Sequence, residues 1–382
     1  MTTMARAPWF PTLDLGPEWA LLELLCPGPL EGHRRAMFLR LLRGGVHGGE
    51  LVEQAMRHRL LPVLADSLRD EEVADLVQPS LRSELVGALM ASRRRNATLA
   101  RVAGSVCRAL GEAGVPVAVT KGAALEPTVY GGRGCRRMSD VDLMIHPRHR
   151  EVVSRIMTEA GYVNGLYDWR EHRIAPLPRD IQLTYRLSPD HLPHYLRVDE
   201  DGGVIAVDFA NSLTWAASDH QVDMDDVLGV LVPVRALAGE VELPTLAPRF
   251  QFLFTALHLF RESWFEASVE RGNDRLLKFA DLLRLWRADH ADILEGLPEV
   301  VVRYDLGALL GWVLVHTDRT FGTSMAEELG VAGAVSEGWL ASARAKGGRG
   351  LVWTGTMRER LHARDRQGLF APAPAAPVSS AP

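Results

Sequence analysis

In the stretch SDVDLMI, residues 139–145, two aspartates stand at i and i+2 within a strongly β-prone run. Side chains alternate faces along a strand, so Asp140 and Asp142 are expected to project to one side, a few ångströms apart. Two ionised carboxylates so placed repel, which raises one pKa unless a cation neutralises them. A hard divalent ion such as Mg²⁺ prefers oxygen ligands of this kind. The chain must therefore build a sheet that carries the pair and bring a counter-charge to it.

Upstream, VAVTKGAAL (117–125) reads as a short buried strand that ends on Gly122 and turns straight into a helix. Backbone N–H groups at such a junction can approach phosphate oxygens closely, the helix N-terminus adds positive potential, and Lys121 supplies a mobile cation. Downstream, Asp208 closes the apolar run VIAVD, where an acid after four mostly buried residues needs a partner or a metal.

The order KGAAL, Tyr130, RRMSDVDLMI and AVDF resembles the bacterial "uncharacterised nucleotidyltransferase" group of the DNA polymerase β-like superfamily. The resemblance is strong from about Val117 to Ile145 and looser over most of the chain. It implies an α+β fold, a nucleotidyltransferase-like mixed sheet with flanking helices. It also implies Mg²⁺-dependent transfer of a nucleoside monophosphate from an NTP, with ATP binding expected, and release of pyrophosphate. By that resemblance Lys121, Gly122 and Ala123 hold the triphosphate, with Arg136, Ser139 and Lys278 as further nucleotide contacts. Asp140 and Asp142 bind two Mg²⁺ ions, and Asp208 completes the metal site beside the acceptor. Two positions depart from the group: Ala123 stands where the superfamily commonly has serine, and Asp208-Phe209-Ala210-Asn211 replaces Asp-Leu-His-Trp.

Around this core, residues 1–114 read as a helical region, 115–245 as the nucleotidyltransferase core, 246–345 as a C-terminal helical domain and 366–382 as a disordered Pro/Ala-rich tail. Within the core, HREVVSRIMTEAGY reads as an amphipathic helix closed by Gly161, and IQLTYRL and GGVIAVDFA as strands. The basic run RRRN (93–96) reads as a solvated face or a domain-contact ring. His191 and His194 read as surface-loop residues, His258 as a core histidine, and Lys278 with Asp281 as an i, i+3 ion pair. Asp180, Asp199 and Asp223 are alternative third acids.

Composition narrows the partners. A formal charge of −5 and a pI near 6.2 give no global pull on nucleic acid, which disfavours an RNA or DNA acceptor. A small metabolite, an antibiotic or a peptide natural product is expected instead. The three cysteines form no CxxC pair, the N-terminal stretch does not read as a signal peptide, and the longest late apolar run, 306–315, is about half of what a bilayer needs. A cytoplasmic enzyme without membrane contact is expected. GxSxG, HExxH and Walker A patterns are absent. A rival class is a catalytically silent nucleotide-binding or scaffolding module on the same fold. Its support is the altered third motif, and the three retained acids argue against it.

Overall fold

The computed structural model describes residues 9–69, 71–187, 190–199, 202–215, 218–345 and 348–374. At its centre is an eight-stranded mixed sheet formed by β1 (Val117–Val119), β2 (Val141–Ile145), β3 (Val163–Asp168), β4 (Arg173–Pro176), β5 (Tyr195–Val198), β6 (Val204–Ala210), β7 (Leu231–Ala236) and β8 (Val241–Leu246). The spatial order is β4-β3-β5-β6-β2-β1-β8-β7. β2 lies parallel to β6 and β1 parallel to β8; the other pairs are antiparallel. The α+β class expected from the sequence is the one observed.

Period-two alternation decides which face holds chemistry. Val141, Leu143 and Ile145 of β2, with Ile205, Val207 and Phe209 of β6, pack in one core with Leu99, Ala103 and Leu110 of the long helix Pro79–Glu112 and Val153 and Met157 of the helix Arg150–Glu159. The intervening residues Asp142, Met144, Asp208 and Ala210 then face the other way. Met144 and Ala210 join a second core built on the helices Pro248–Trp264, Leu276–Ala288, His290–Arg303 and Gly307–Phe321. The carboxylates thus open toward those helices.

That second core also contains the helices Pro17–Leu25, Gly32–Arg43, Gly48–Arg57 and Leu61–Ser67. Arg284 donates to the carbonyls of Cys26 (3.1 Å) and Leu25 (2.8 Å) across the two ends of the chain. The region 1–114 therefore divides: its early helices share a core with the C-terminal ones, and its long last helix covers the sheet. An amphipathic pattern shows that a helix has an apolar face but not what covers that face.

Two local expectations are corrected. IQLTYRL lies in the helix Arg179–Leu187, not in a strand. The preceding Pro178 and the first-turn Asp180 are a helix-start signal that outweighs the brief alternation, and Gln182 N–H donates to the Pro178 carbonyl at 3.0 Å. Near the C-terminus, β9 (Ser342–Arg344), β10 (Gly350–Trp353) and β11 (Phe370–Pro372) form a small antiparallel sheet. The segment read as tail from 366 therefore begins as structure: Arg366 is buried against Asp274, and Pro372 sits on an edge strand, where a missing N–H is tolerated. Residues 375–382 of that segment lie outside the described residues. Among the described residues no helix is long and apolar enough to cross a membrane.

Candidate active site

β1 hands over to the helix Lys121–Val129 through a turn fastened to β2: Thr120 N–H and its hydroxyl both donate to the Asp142 carbonyl, at 2.9 and 3.3 Å. Lys121 adopts φ +45°, a left-handed backbone that costs a residue with a side chain about 1–3 kcal/mol. At Gly122 an added Cβ would come within 2.7 Å of Met138 Cγ, so only backbone fits between the helix start and the loop ahead of β2. The first N–H groups of the helix have no intrahelical acceptor, the property that suits a helix start to an anion.

The register of the parallel pair sets Asp142 directly opposite Asp208 on the neighbouring strand. Each is only 8% exposed. Asp140 lies in the bend just before β2, and the Asp142 charge, followed by burial, pushes its carboxyl above the usual range. The Ser139 hydroxyl donates to Asp140 Oδ1 at 2.8 Å, which opposes that rise. Lys121 Nζ donates to Asp142 Oδ1 at 2.7 Å. Burial works against the Lys121 charge, but Asp142, Asp208 and Asp140 together outweigh it and raise its pKa.

A cation fits these acids on the chemistry of the donor set: Asp208 Oδ1 is buried with no hydrogen-bond partner, and Asp140 and Asp142 repel each other. Among the described residues no three His, Cys, Asp or Glu side chains yet converge as a closed metal cage. Instead the acids face the ammonium of Lys121, the counter-charge the sequence called for.

Two chambers meet at Lys121. The first, of about 220 Å³, is lined by Asp140, Asp142 and Glu262 together with Lys121, Arg59, Arg136, Arg275 and Lys278. Its cations are short of anions. Burial, then Arg275 and Arg136, lower Arg59 to about 10; burial, then Lys121 and Arg136, bring Lys278 well below the usual lysine range. Polyanion binding here would relieve the mutual repulsion of these cations. The second chamber, of about 550 Å³, has Asp208 in its wall together with His191, His194, Trp215 and Arg261.

With this arrangement in view, comparison with known proteins is direct. The sequence profile of a family described as "uncharacterised nucleotidyltransferase" matches residues 45–322. The chain belongs to that family. The match spans the sheet, the carboxylates and both chambers, and it stops at the end of the helix Gly307–Phe321. No curated protein matches. Among solved structures, the crystal structure of an antigenic nucleotidyltransferase-like protein from Paracoccidioides brasiliensis is similar at 15% identity, covering 56% of this chain and 91% of that one, with a TM-score of 0.27.

Within this family member the residues singled out by sequence fall into distinct places. Lys121, Gly122, Ser139, Asp140 and Asp142 line the first chamber. Ala123 lies at the same helix start but is buried in the sheet core and does not line the chamber. Arg136 borders the chamber, yet its guanidinium is held by Asp281, with Nε 3.0 Å from both carboxylate oxygens and the Tyr130 hydroxyl donating to Oδ1 at 2.8 Å. Burial works against the Arg136 charge, but Asp281, with Tyr130 and Asp142, outweighs it and raises the pKa, marking a fixed charge. The expected Lys278–Asp281 pair is therefore not formed. Lys278 pairs with Glu262 across the two helices, because Asp281 is already taken by Arg136.

The structure also draws in residues that sequence placed elsewhere. His194 Nδ1 lies 4.0 Å from Asp208 Oδ1, and His191 Nδ1 lies 3.2 Å from Asp190, so the two histidines read as surface-loop residues border the second chamber. His258 lies 3.4 Å from Glu262 and borders both chambers; burial, then Lys121 and Lys278, depress its pKa strongly. The basic run 93–96 is a domain contact: Arg95 donates to the Ser139 carbonyl (2.9 Å), and the Asn96 amide bridges the Arg136 carbonyl (3.0 Å) and the Met138 N–H (2.9 Å). Of the alternative acids, Asp180 is exposed, Asp199 accepts from Gly203 N–H, and Asp223 caps the helix Met224–Leu228. Arg59, Arg275 and Glu262 went unremarked in the sequence, where no local pattern distinguishes them from other surface charges.

Proposed function

We propose that this protein transfers a nucleoside monophosphate from an NTP to an acceptor hydroxyl or other nucleophile on a small molecule or peptide. The observation that carries this reading is the in-register pair Asp142 and Asp208, joined by Asp140, facing a helix N-terminus and a cation-rich chamber across Lys121. The helix start at Lys121 and Gly122, with Arg59, Arg275 and Lys278 opposite, would bind the triphosphate. The acceptor oxygen then forms a bond to the α-phosphorus while the bond to the bridging oxygen breaks, and pyrophosphate leaves with that electron pair. The acceptor proton passes to Asp208 Oδ1, which has no other donor, and on to the exposed His194. Two Mg²⁺ ions, held by Asp140, Asp142 and Asp208, would lower the acceptor pKa and neutralise charge on the leaving group. Lys121, released from Asp142, is free to turn its ammonium to the phosphates.

Incubation with each labelled NTP and Mg²⁺ across an acceptor panel, scored for pyrophosphate release and for mass added to acceptor or protein, tests the proposal. Release with at least one NTP, and its loss in Asp142→Asn, are the expected results. NTP binding without release under every acceptor would establish a silent module instead.

A further inference from the structure

The second chamber shares Lys121, His258, Glu262 and Asn273 with the first, so a molecule seated there would lie against the nucleotide site. Its wall contains Asp208 but neither Asp140 nor Asp142. One side is aromatic. The Trp215 ring stacks on Phe260 at 5.6 Å and 19° and meets the edge of Phe265 at 5.6 Å and 82°, which fixes it as a flat apolar surface. The other side is charged, and its acids all have basic neighbours. Asp190 has His191 at 3.2 Å and Arg261 at 3.7 Å, Glu262 has Lys278, and Asp208 faces Lys121. Arg271, exposed at the rim, makes no ion pair among the described residues. Its lining carries three cations, Lys121, Arg261 and Arg271, against three acids, Asp190, Asp208 and Glu262, and Arg271 is the cation left without an acid partner among the described residues.

We propose that this chamber is the acceptor site and that it selects a molecule carrying a flat apolar group, an anionic group and the nucleophilic hydroxyl. The flat group lies on Trp215, the carboxylate or phosphate meets Arg261 and Arg271, and the hydroxyl is thereby turned toward Asp208. Arg271 is the specificity-determining residue for the anion. This inference rests on the proposed nucleotidyl transfer for the role of the chamber, but its charge preference can be measured without nucleotide.

Saturation-transfer NMR on the full chain with N-acetyl-L-tyrosine and N-acetyl-L-tyrosinamide compares the same ring and hydroxyl with and without a carboxylate. The acid should bind about three- to fivefold more tightly, the range one partly exposed charge contact supplies. Arg271→Gln should bring the ratio to one, and Trp215→Ala should weaken both ligands. Equal binding of acid and amide, binding of neither, or a preference that survives Arg271→Gln would overturn the assignment. The thermal shift produced by Mg²⁺ with NTP reports on the first chamber separately: its absence alongside an intact acid preference refutes nucleotidyl transfer, not the ligand class.

Discussion

At the scale of single residues, the three acids are not equivalent, because Lys121 binds one of them. Asp140→Asn removes one member of a repulsive pair, so the variant should melt at or above the wild-type temperature in EDTA while losing transfer. Asp142→Asn should also lose transfer, but it takes away the direct partner of a partly buried ammonium and should cost about 1.5–3 kcal/mol, the range for a charged hydrogen bond. Thermal melts of both variants in EDTA check the contrast; marked destabilisation of Asp140→Asn would make that carboxylate structural. Asp208→Asn should keep most of the Mg²⁺–NTP thermal shift, since Asp140 and Asp142 remain, yet lose transfer by orders of magnitude. Near-normal turnover by this variant would remove Asp208 from the mechanism. The side-chain types at these positions could be read directly, because i, i+2 spacing and a strand-terminal acid are local facts. That Arg136 would be claimed by Asp281, far away in the chain, could not, because no local pattern records a long-range partner.

At the scale of elements, the site depends on loops tied down by side chains. Glu126, on the helix that starts at Lys121, accepts N–H groups from Gly134 and, at 2.6 Å, from Arg136, and so holds the approach to β2. Burial pushes its carboxyl up to about 7. A carboxyl whose folded pKa lies above its unfolded value contributes stability that is full below the unfolded pKa and fades as pH rises through the folded one. Between pH 4.5 and 7 that contribution should fall by on the order of 3 kcal/mol. Denaturant unfolding of wild type and Glu126→Gln at pH 5 and pH 8 should show a larger loss in wild type than in the variant, in which Glu23 and Asp274, also raised by burial, still titrate; parallel pH dependence would mean that Glu126 ionises normally. Strands with long apolar alternation, β2 and β6, were legible in the sequence, as were the helix closed by Gly161 and the strand-to-helix turn at Gly122. β3, β4, β5, β7 and β8 were not: only β4 and β7 lie at the sheet edges, and all five owe their conformation to hydrogen bonds with neighbours more than to their own pattern. The run 93–96 was legible as a solvated face or a domain contact, but not its partners: Arg95 donates to the Ser139 carbonyl and Asn96 accepts from Met138 N–H, both more than forty residues away.

At the scale of the whole molecule, the segment beyond the family match reaches back to the site. Asp274, fully buried between Arg360 and Arg366, sits between Asn273 and Arg275, which line the chambers. Arg366→Met should cost about 3–5 kcal/mol, as breaking a buried ion pair does, and should also weaken NTP binding by displacing that loop. Titration calorimetry with Mg²⁺–NTP, with Arg366→Lys as the partial rescue, separates the two effects; lost stability with unchanged NTP affinity would confine Arg366 to a structural role. The shared core of early and late helices has another consequence, for the order in which the chain is made. The helix Leu61–Ser67 leaves the ribosome about 180 residues before Pro248 opens its partner helices. At synthesis rates of roughly 5–20 residues per second that interval is about 10–40 s. Throughout it the apolar faces around Trp19, Leu22, Phe38 and Leu64 have nothing to close on but one another. The nascent protein therefore carries an uncovered half-core during nearly half of its synthesis, so the sheet that bears the carboxylates is complete before the surface that encloses them.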